Sequence, residues 1–460
     1  MATEQQKKKV EELLSAYEGE MVATLQKWVR IPSVMGEAAE GAPYGKDVRR
    51  MLDAAIGDLD AMGFETGICD GHAGYADLGT GDARDALAVL AHLDVVPEGT
   101  GWDGDPYSGD VKEGKIYGRG TSDDKGPAVA AVYAMKAVKE AGIPLRRKVR
   151  LILGCNEEVG GGEDLEYFAS HAVMPRCGFS PDATYPVINI EKGGLHLCLS
   201  GSTENEGLNV IRIHAGTRAN VIPGEAEALV EKKAGIAEKI AAAALPFPVT
   251  VKETDEGTVI STVGKLGHAA MPDQAKNAIG QLMLALKAAG VKGAIETVAD
   301  VIGTSSDGKG LGIAVRDELS GALTASMDIF NVENGRFDAV IDVRFPLCAG
   351  KDELVYMAKQ SLPGISVTVK AARGGHYVSE KSELVRGLLK AYEDATGLKG
   401  YTVAIGGGTY AHYMEEGVAF GATFPDEPDM AHQANEYMSL ETLYRNMRIF
   451  ANTIIELAAE

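Results

Sequence analysis

His92 and Asp94 stand two residues apart where an apolar run, LAVLAHLDVVP (residues 87–97), closes on a proline. Side chains alternate along a strand, so both point to one face. Neither is buried there without cost unless it finds a partner. Alone, the pair also reads as a hydrogen-bonded core histidine beside an aspartate capping the turn. Four further stretches put acids or a histidine at the ends of apolar segments: GRGTSDDKG (118–126), NEEVGG (156–161), SPDATYPV (180–187) and MAHQANE (430–436). Each has an ordinary reading by itself. Asp123-Asp124 suits a helix N-cap, Glu157-Glu158 a solvated turn, Asp182 a turn after proline, and His432 a surface loop.

Together they form a nitrogen and oxygen donor set suited to zinc or a similar divalent ion. Two such ions, about 3.5–4 Å apart, need one carboxylate between them and further acids to balance their charge. A glutamate next to a ligand glutamate can act as general base toward a metal-bound water. His92 then reads as a ligand, with Asp94 placed to orient its imidazole.

These groups must be delivered by a scaffold. Helical patterns over 4–30, 46–62 and 127–140 alternate with strand-like segments at 64–69, 74–78, 87–93 and 148–156. This order predicts an α/β sheet, mixed but mostly parallel, whose strand ends open onto one crevice. The texture changes near VINIEKGGLHLCLSG (187–201). From about 195 to 380 run strands, two helical stretches (about 233–244 and 273–290) and few acid–histidine clusters. A core-type helix returns at 382–397. The expected division is a first α/β segment, 1–190, an inserted α+β segment, 191–380, and a second α/β segment, 381–460.

Formal net charge is −21, and no basic face is evident, which argues against nucleic acid or an anionic membrane as partner. No run of about eighteen apolar residues exists for a transmembrane span, and the charged N-terminal segment does not read as a signal peptide. The five cysteines are scattered without a CxxC pair, as expected of reduced thiols in a cytoplasmic protein.

HLDVVP, GRGTSDDKGP, NEEVGGGED, PDATYPV and AHQANEYM, in this order, resemble the dinuclear zinc peptidase family that holds aminoacylases, glutamate carboxypeptidases and succinyl-diaminopimelate desuccinylases. Within it the chain is most similar to the bacterial PepV-type dipeptidases, over nearly its whole length. The resemblance implies two divalent metals per chain, zinc foremost with manganese as the alternative. Asp123 would bridge them, with a cis Asp123-Asp124 bond. His92 and Asp182 would complete one site, Glu158 and His432 the other, and Glu157 would be the general base.

In the lid, GKLGHAAMP carries over His268 as oxyanion donor, while TRANVIPGEAE and AVIDVRFP carry over Asn220 and Arg344 as holders of the substrate carboxylate. GGGTYAH (406–412) resembles a substrate-contacting turn, placing Gly408 and Thr409 at the substrate. Arg344 two residues after Asp342 also reads as a surface ion pair, and the triple glycine as a tight turn, since no phosphate-loop pattern accompanies it. Two departures fall near the substrate end: His412 replaces an expected arginine, and PDEPDM (425–430) lacks a glycine expected after Pro425. The implied activity is hydrolysis of unblocked dipeptides by a monomer, its long lid standing in for a partner subunit. Removal of an acyl group from an amino acid is the rival, and an inactive binding protein on the same fold a more distant one.

Overall fold

The computed structural model describes residues 3–159, 162–204 and 206–460. Gly160 and Gly161 of the NEEVGG stretch lie outside them. The chain divides into two compact units. One comprises 1–189, 377–403 and 408–460; the other comprises 190–376 together with 404–407. The short return of 404–407 to the second unit differs from the sequence reading, which kept everything after 380 in the first.

The first unit is a mixed sheet with helices packed against it. At its centre, Val149–Gly154, Leu87–His92, Cys177–Ser180 and Glu416–Ala419 run parallel to one another, while Ala73–Leu78 and Glu65–Cys69 join one side antiparallel and Val187–Glu191 the other. The strand Leu87–His92 is buried throughout. Leu87, Val89 and Ala91 enter the large core shared with the helices Lys125–Glu140 and Leu440–Ala458. Ala88 and Leu90 pack on the opposite face, in a smaller cluster with Ile152, Phe168 and Tyr410. Burial on both faces explains the unbroken apolar run. By the same alternation His92 points to the side of Leu90, where its ring meets Tyr410 edge-on. Helix boundaries carry ordinary signals: Ser439 and Ser382 cap helix N-termini through their hydroxyls, and Gly397 ends Glu383–Thr396 in the left-handed conformation.

The parallel centre positions the chemistry. His92 lies opposite Gly154 in register, and the Leu93 amide donates to the Gly154 carbonyl. Cys177–Ser180 flanks the other side of the same strand. Three neighbouring strands therefore end together, with His92 at the end of one and Asp94, Glu157, Glu158 and Asp182 in the turns beyond.

The second unit is α+β. Its eight-stranded sheet is antiparallel and ordered Val249–Glu253, Thr258–Val263, Glu225–Val230, Val210–Ala215, Thr324–Glu333, Arg336–Phe345, Gly193–Ser202, Ser366–Arg373. Its helices are Ile236–Ala242, Ala278–Ala289, Ala294–Val301 and Lys351–Ser361. The last two escaped the sequence reading. The first of them is rich in β-branched residues and the second buries only Leu354 and Ala358, so their local pattern is a weak helix signal. All five cysteines are free. Among the described residues no helix is long and apolar enough to cross a membrane.

Candidate metal centre

Asp123 lies in the turn that leads into the helix Lys125–Glu140, and its peptide bond to Asp124 is cis. Its carboxylate stands between two histidines. Oδ1 is 2.9 Å from His92 Nε2, and Oδ2 is 3.0 Å from His432 Nε2. Asp182 Oδ2 approaches His92 Nε2 at 3.8 Å, and Glu158 Oε2 approaches His432 Nε2 at 2.8 Å. Two three-residue donor groups result, His92–Asp123–Asp182 and Asp123–Glu158–His432, with Asp123 common to both.

The cluster concentrates buried acids around two imidazoles. Burial pushes the Glu157 carboxyl up to about 8, with Glu158 and Asp123 adding to the shift against the pull of His92. Burial likewise raises Asp182 and Glu158, helped by the charge of Asp123. Hydrogen bonds to Asp123 and Glu158 lift His432 to about 10. His92 is also raised, its bonds to Asp123 and Asp94 overcoming burial. Asp123 itself is depressed, because its bonds to His432 and His92 outweigh burial. The imidazoles thus supply positive charge to an excess of buried acids. Each Nε2 facing Asp123 is also the atom that would offer a lone pair to a divalent ion. Glu158 Oε1 is buried without a hydrogen bond, and Asp124 Oδ1 likewise. The oxygen and imidazole donors, their convergence and the unspent oxygen of Glu158 fit two divalent cations sharing Asp123.

A supporting layer holds the donors. The His92 amide donates to Asp124 Oδ2 at 3.1 Å. His92 Nδ1 lies 3.0 Å from the Asp94 main-chain carbonyl and 3.5 Å from Asp94 Oδ1. The sequence reading gave the orienting role to the Asp94 carboxylate. Here the carbonyl makes the closer contact, and the carboxylate accepts the amides of Glu157 and Glu158 at 3.2 and 3.1 Å. Asp94 thereby ties the HLD turn to the NEE turn.

Three supports have no counterpart in the sequence reading. Glu436 Oε1 accepts the amides of Gly120, Ser122 and Asp123, and its Oε2 takes a 2.6 Å bond from buried Arg119. Asp164 accepts the Cys155 and Asn156 amides and the Tyr410 hydroxyl. Gly154 admits that pair, since a Cβ there would meet the Tyr410 ring at 2.5 Å. Lys125 is fully buried and donates to the carbonyls of Trp28 and Ile31. The only local hint was that Arg119 and Glu436 belong to the same motifs as Asp123 and His432. His432 itself adopts φ 63°, a left-handed conformation costly for a non-glycine residue and common at functional sites.

The remaining expected site residues divide between the units. Thr409 Oγ1 caps the turn Tyr410–Tyr413 by accepting the Ala411 amide, directly after Gly408. His412 packs its ring on Tyr413. In the second unit, Val221 pairs with His268, and the Asn220 carbonyl accepts the Ala269 amide at 3.0 Å, so Asn220 and His268 lie at one short two-stranded ladder. His268 is exposed, its Nδ1 accepting the Ala270 amide. Arg344 makes a two-pronged contact with Asp342, at 2.6 and 2.7 Å, and donates to the Gly406 carbonyl. Asp342 is buried, so this is an interior pair rather than a surface one.

Residues 88–456 match the model of peptidase family M20/M25/M40. The chain belongs to this family. The Beta-Ala-Xaa dipeptidase of Lactobacillus delbrueckii subsp. lactis is 34% identical over 464 residues, covering 98% of each chain. YtjP of Bacillus subtilis (strain 168) is 34% identical over 457 residues, covering 95% of this chain and 97% of its own. The crystal structure of human carnosine dipeptidase 1 shares the fold, with a TM-score of 0.60 at 14% identity over 99% of both chains. As an M20/M25/M40 member the protein is a peptide hydrolase, with the mixed α/β architecture of its family.

Proposed function

We propose that the protein is a metal-dependent dipeptidase acting on unblocked dipeptides, with two divalent ions per chain. The observation that carries this reading is Asp123, whose two carboxylate oxygens each face a separate histidine–carboxylate set. His92 and Asp182 would hold one ion, Glu158 and His432 the other. Bound there, zinc or manganese would polarise the scissile carbonyl and lower the pKa of a water.

The chain's own groups supply the rest. Glu157, tethered through its amide to Asp94 and placed beside Glu158, receives the water's proton and returns it to the leaving amine. His268 donates to the developing oxyanion, a contact worth roughly 3–4 kcal/mol in other enzymes. Arg344 and Asn220 hold the terminal carboxylate, and Gly408 and Thr409 line the substrate. The bidentate grip of Asp342 fixes the Arg344 guanidinium plane and leaves its remaining N–H groups for that task. The curated relative named Beta-Ala-Xaa dipeptidase supports a dipeptide substrate. In this reading the long second unit delivers His268 within one chain, the protein works as a cytoplasmic monomer, and hinges lie near 191–194 and 373–375.

Turnover on Ala-Ala, carnosine, N-acetyl and N-succinyl amino acids, with and without a chelator, tests the proposal. Cleavage of the dipeptides, lost on chelation, is expected. Preference for the acylated amino acids would replace this reading with an amidohydrolase.

A further inference from the structure

On the reading of Asp123, Glu158 and His432 as the holders of one ion, we propose that Asp103 and Asn435 are positioning residues for His432. They fasten the loop that follows Pro97 to the turn segment that presents this imidazole. The two histidines of the centre are held very differently. His92 ends a buried strand, and its side chain is 1% exposed. His432 lies in the segment between the strands Ala422–Thr423 and Tyr437–Ser439, and its side chain is 51% exposed. Packing therefore fixes the first imidazole, whereas the second needs its backbone held in place. Its φ of 63° sharpens that need, because a left-handed non-glycine residue persists only where its surroundings over-determine it.

Asn435 supplies the support three residues on. Its Oδ1 accepts the Asp103 amide at 2.9 Å, and its Nδ2 donates to Asp103 Oδ2 at 3.0 Å. One carboxamide thus closes a reciprocal pair with a single residue 332 positions away, spending one acceptor and one donor. Asn435 is itself left-handed at φ 61°, a conformation that asparagine and aspartate adopt more readily than most side chains. Gly101 lies alongside, where a Cβ would stand 3.5 Å from the Ala434 Cβ. The loop is a firm anchor. Trp102 Nε1 donates to the Glu98 carbonyl at 2.7 Å, and the Tyr107 hydroxyl donates to Glu98 Oε2 at 3.1 Å. The guanidinium of buried Arg119 lies 5.4 Å from the centroid of the Trp102 ring. Arg119 in turn pairs with Glu436, so the segment that carries His432 is gripped at 435 and at 436.

The test is release of zinc from the full-length, zinc-loaded protein to a chelating dye, with melting temperature followed alongside. Asn435→Asp sets two carboxylates against each other and removes the Nδ2 donor, while keeping a side chain suited to the left-handed backbone. One of the two zinc ions should then bind about tenfold more weakly, the scale set by loss of one hydrogen bond. Asp103→Asn alone should change little, because its side-chain carbonyl still accepts from Asn435. The double variant Asp103→Asn/Asn435→Asp rebuilds the pair with donor and acceptor exchanged, and should restore the affinity of the unsubstituted protein. That recovery is what separates positioning from a general loss of stability. Unchanged affinity in Asn435→Asp, or a loss that the double variant does not recover, overturns the proposal and leaves the two-ion reading standing. Fewer than two zinc ions in the unsubstituted protein overturns that reading itself, and the positioning role with it.

Discussion

Asp123 and Glu436 are joined through the main chain: the Asp123 amide donates to Glu436 Oε1, which also accepts the amides of Gly120 and Ser122. A carboxylate 313 residues away in sequence thus sets the turn that presents the shared carboxylate to His92 and His432.

Glu436→Gln should therefore weaken metal binding about 10–100-fold, the usual effect of losing an outer support. The substitution also leaves the Arg119 guanidinium buried without its counter-charge, at a cost of about 3–5 kcal/mol. Metal affinity by competition with a chelator and the urea midpoint check the two effects. A variant with unchanged affinity would deny the turn any role in holding the ions.

Asp123→Asn and Glu157→Gln should separate binding from proton transfer. The first removes the shared charge, and the purified variant should hold fewer than two divalent ions per chain. The second should keep both ions and the fold while losing about 10²–10⁴ in turnover. Elemental analysis beside a dipeptide assay reads both. Near-normal turnover in Glu157→Gln would move the general base to Glu158.

Acid stability should depend on Asp77. Its buried carboxylate accepts two bonds from Arg150 and one from Lys148 at 2.8 Å, and these overcome burial to hold it below the usual carboxylate range. A depressed folded-state pKa stabilises fully above the unfolded value of about 3.9 and is lost as pH falls through the folded value. Asp77→Asn should cost about 3 kcal/mol at pH 7. The difference from the unsubstituted protein should shrink below about pH 4, as read by denaturant midpoints across pH. A difference independent of pH would assign the effect to packing.

Mixing His268→Ala with Glu157→Gln protein should restore no activity at any concentration if each chain supplies its own lid histidine. Recovery that rises with concentration would show that sites are shared between chains.

The sequence by itself singled out the acid and histidine stretches that the structure brings together, and the strand ends that carry them. The unbroken apolar run that stops at His92 reports a strand buried on both faces, and the acids and histidines beyond it and beyond 148–156 and 177–180 gain their meaning as a set. This information is local and periodic, so it survives without coordinates. The tertiary structure alone decided which group supports which. That Glu436 cradles the Asp123 turn, that the Asp94 carboxylate binds the Glu157 and Glu158 amides, and that Asp342 grips Arg344 in the interior rather than at the surface all depend on where the chain folds back. The same holds for the assignment of 404–407 to the second unit and for the helices Ala294–Val301 and Lys351–Ser361. Most of these contacts join residues far apart in sequence, and their energy comes from burial and hydrogen bonding that exist only once distant segments meet, so no short-range pattern records them.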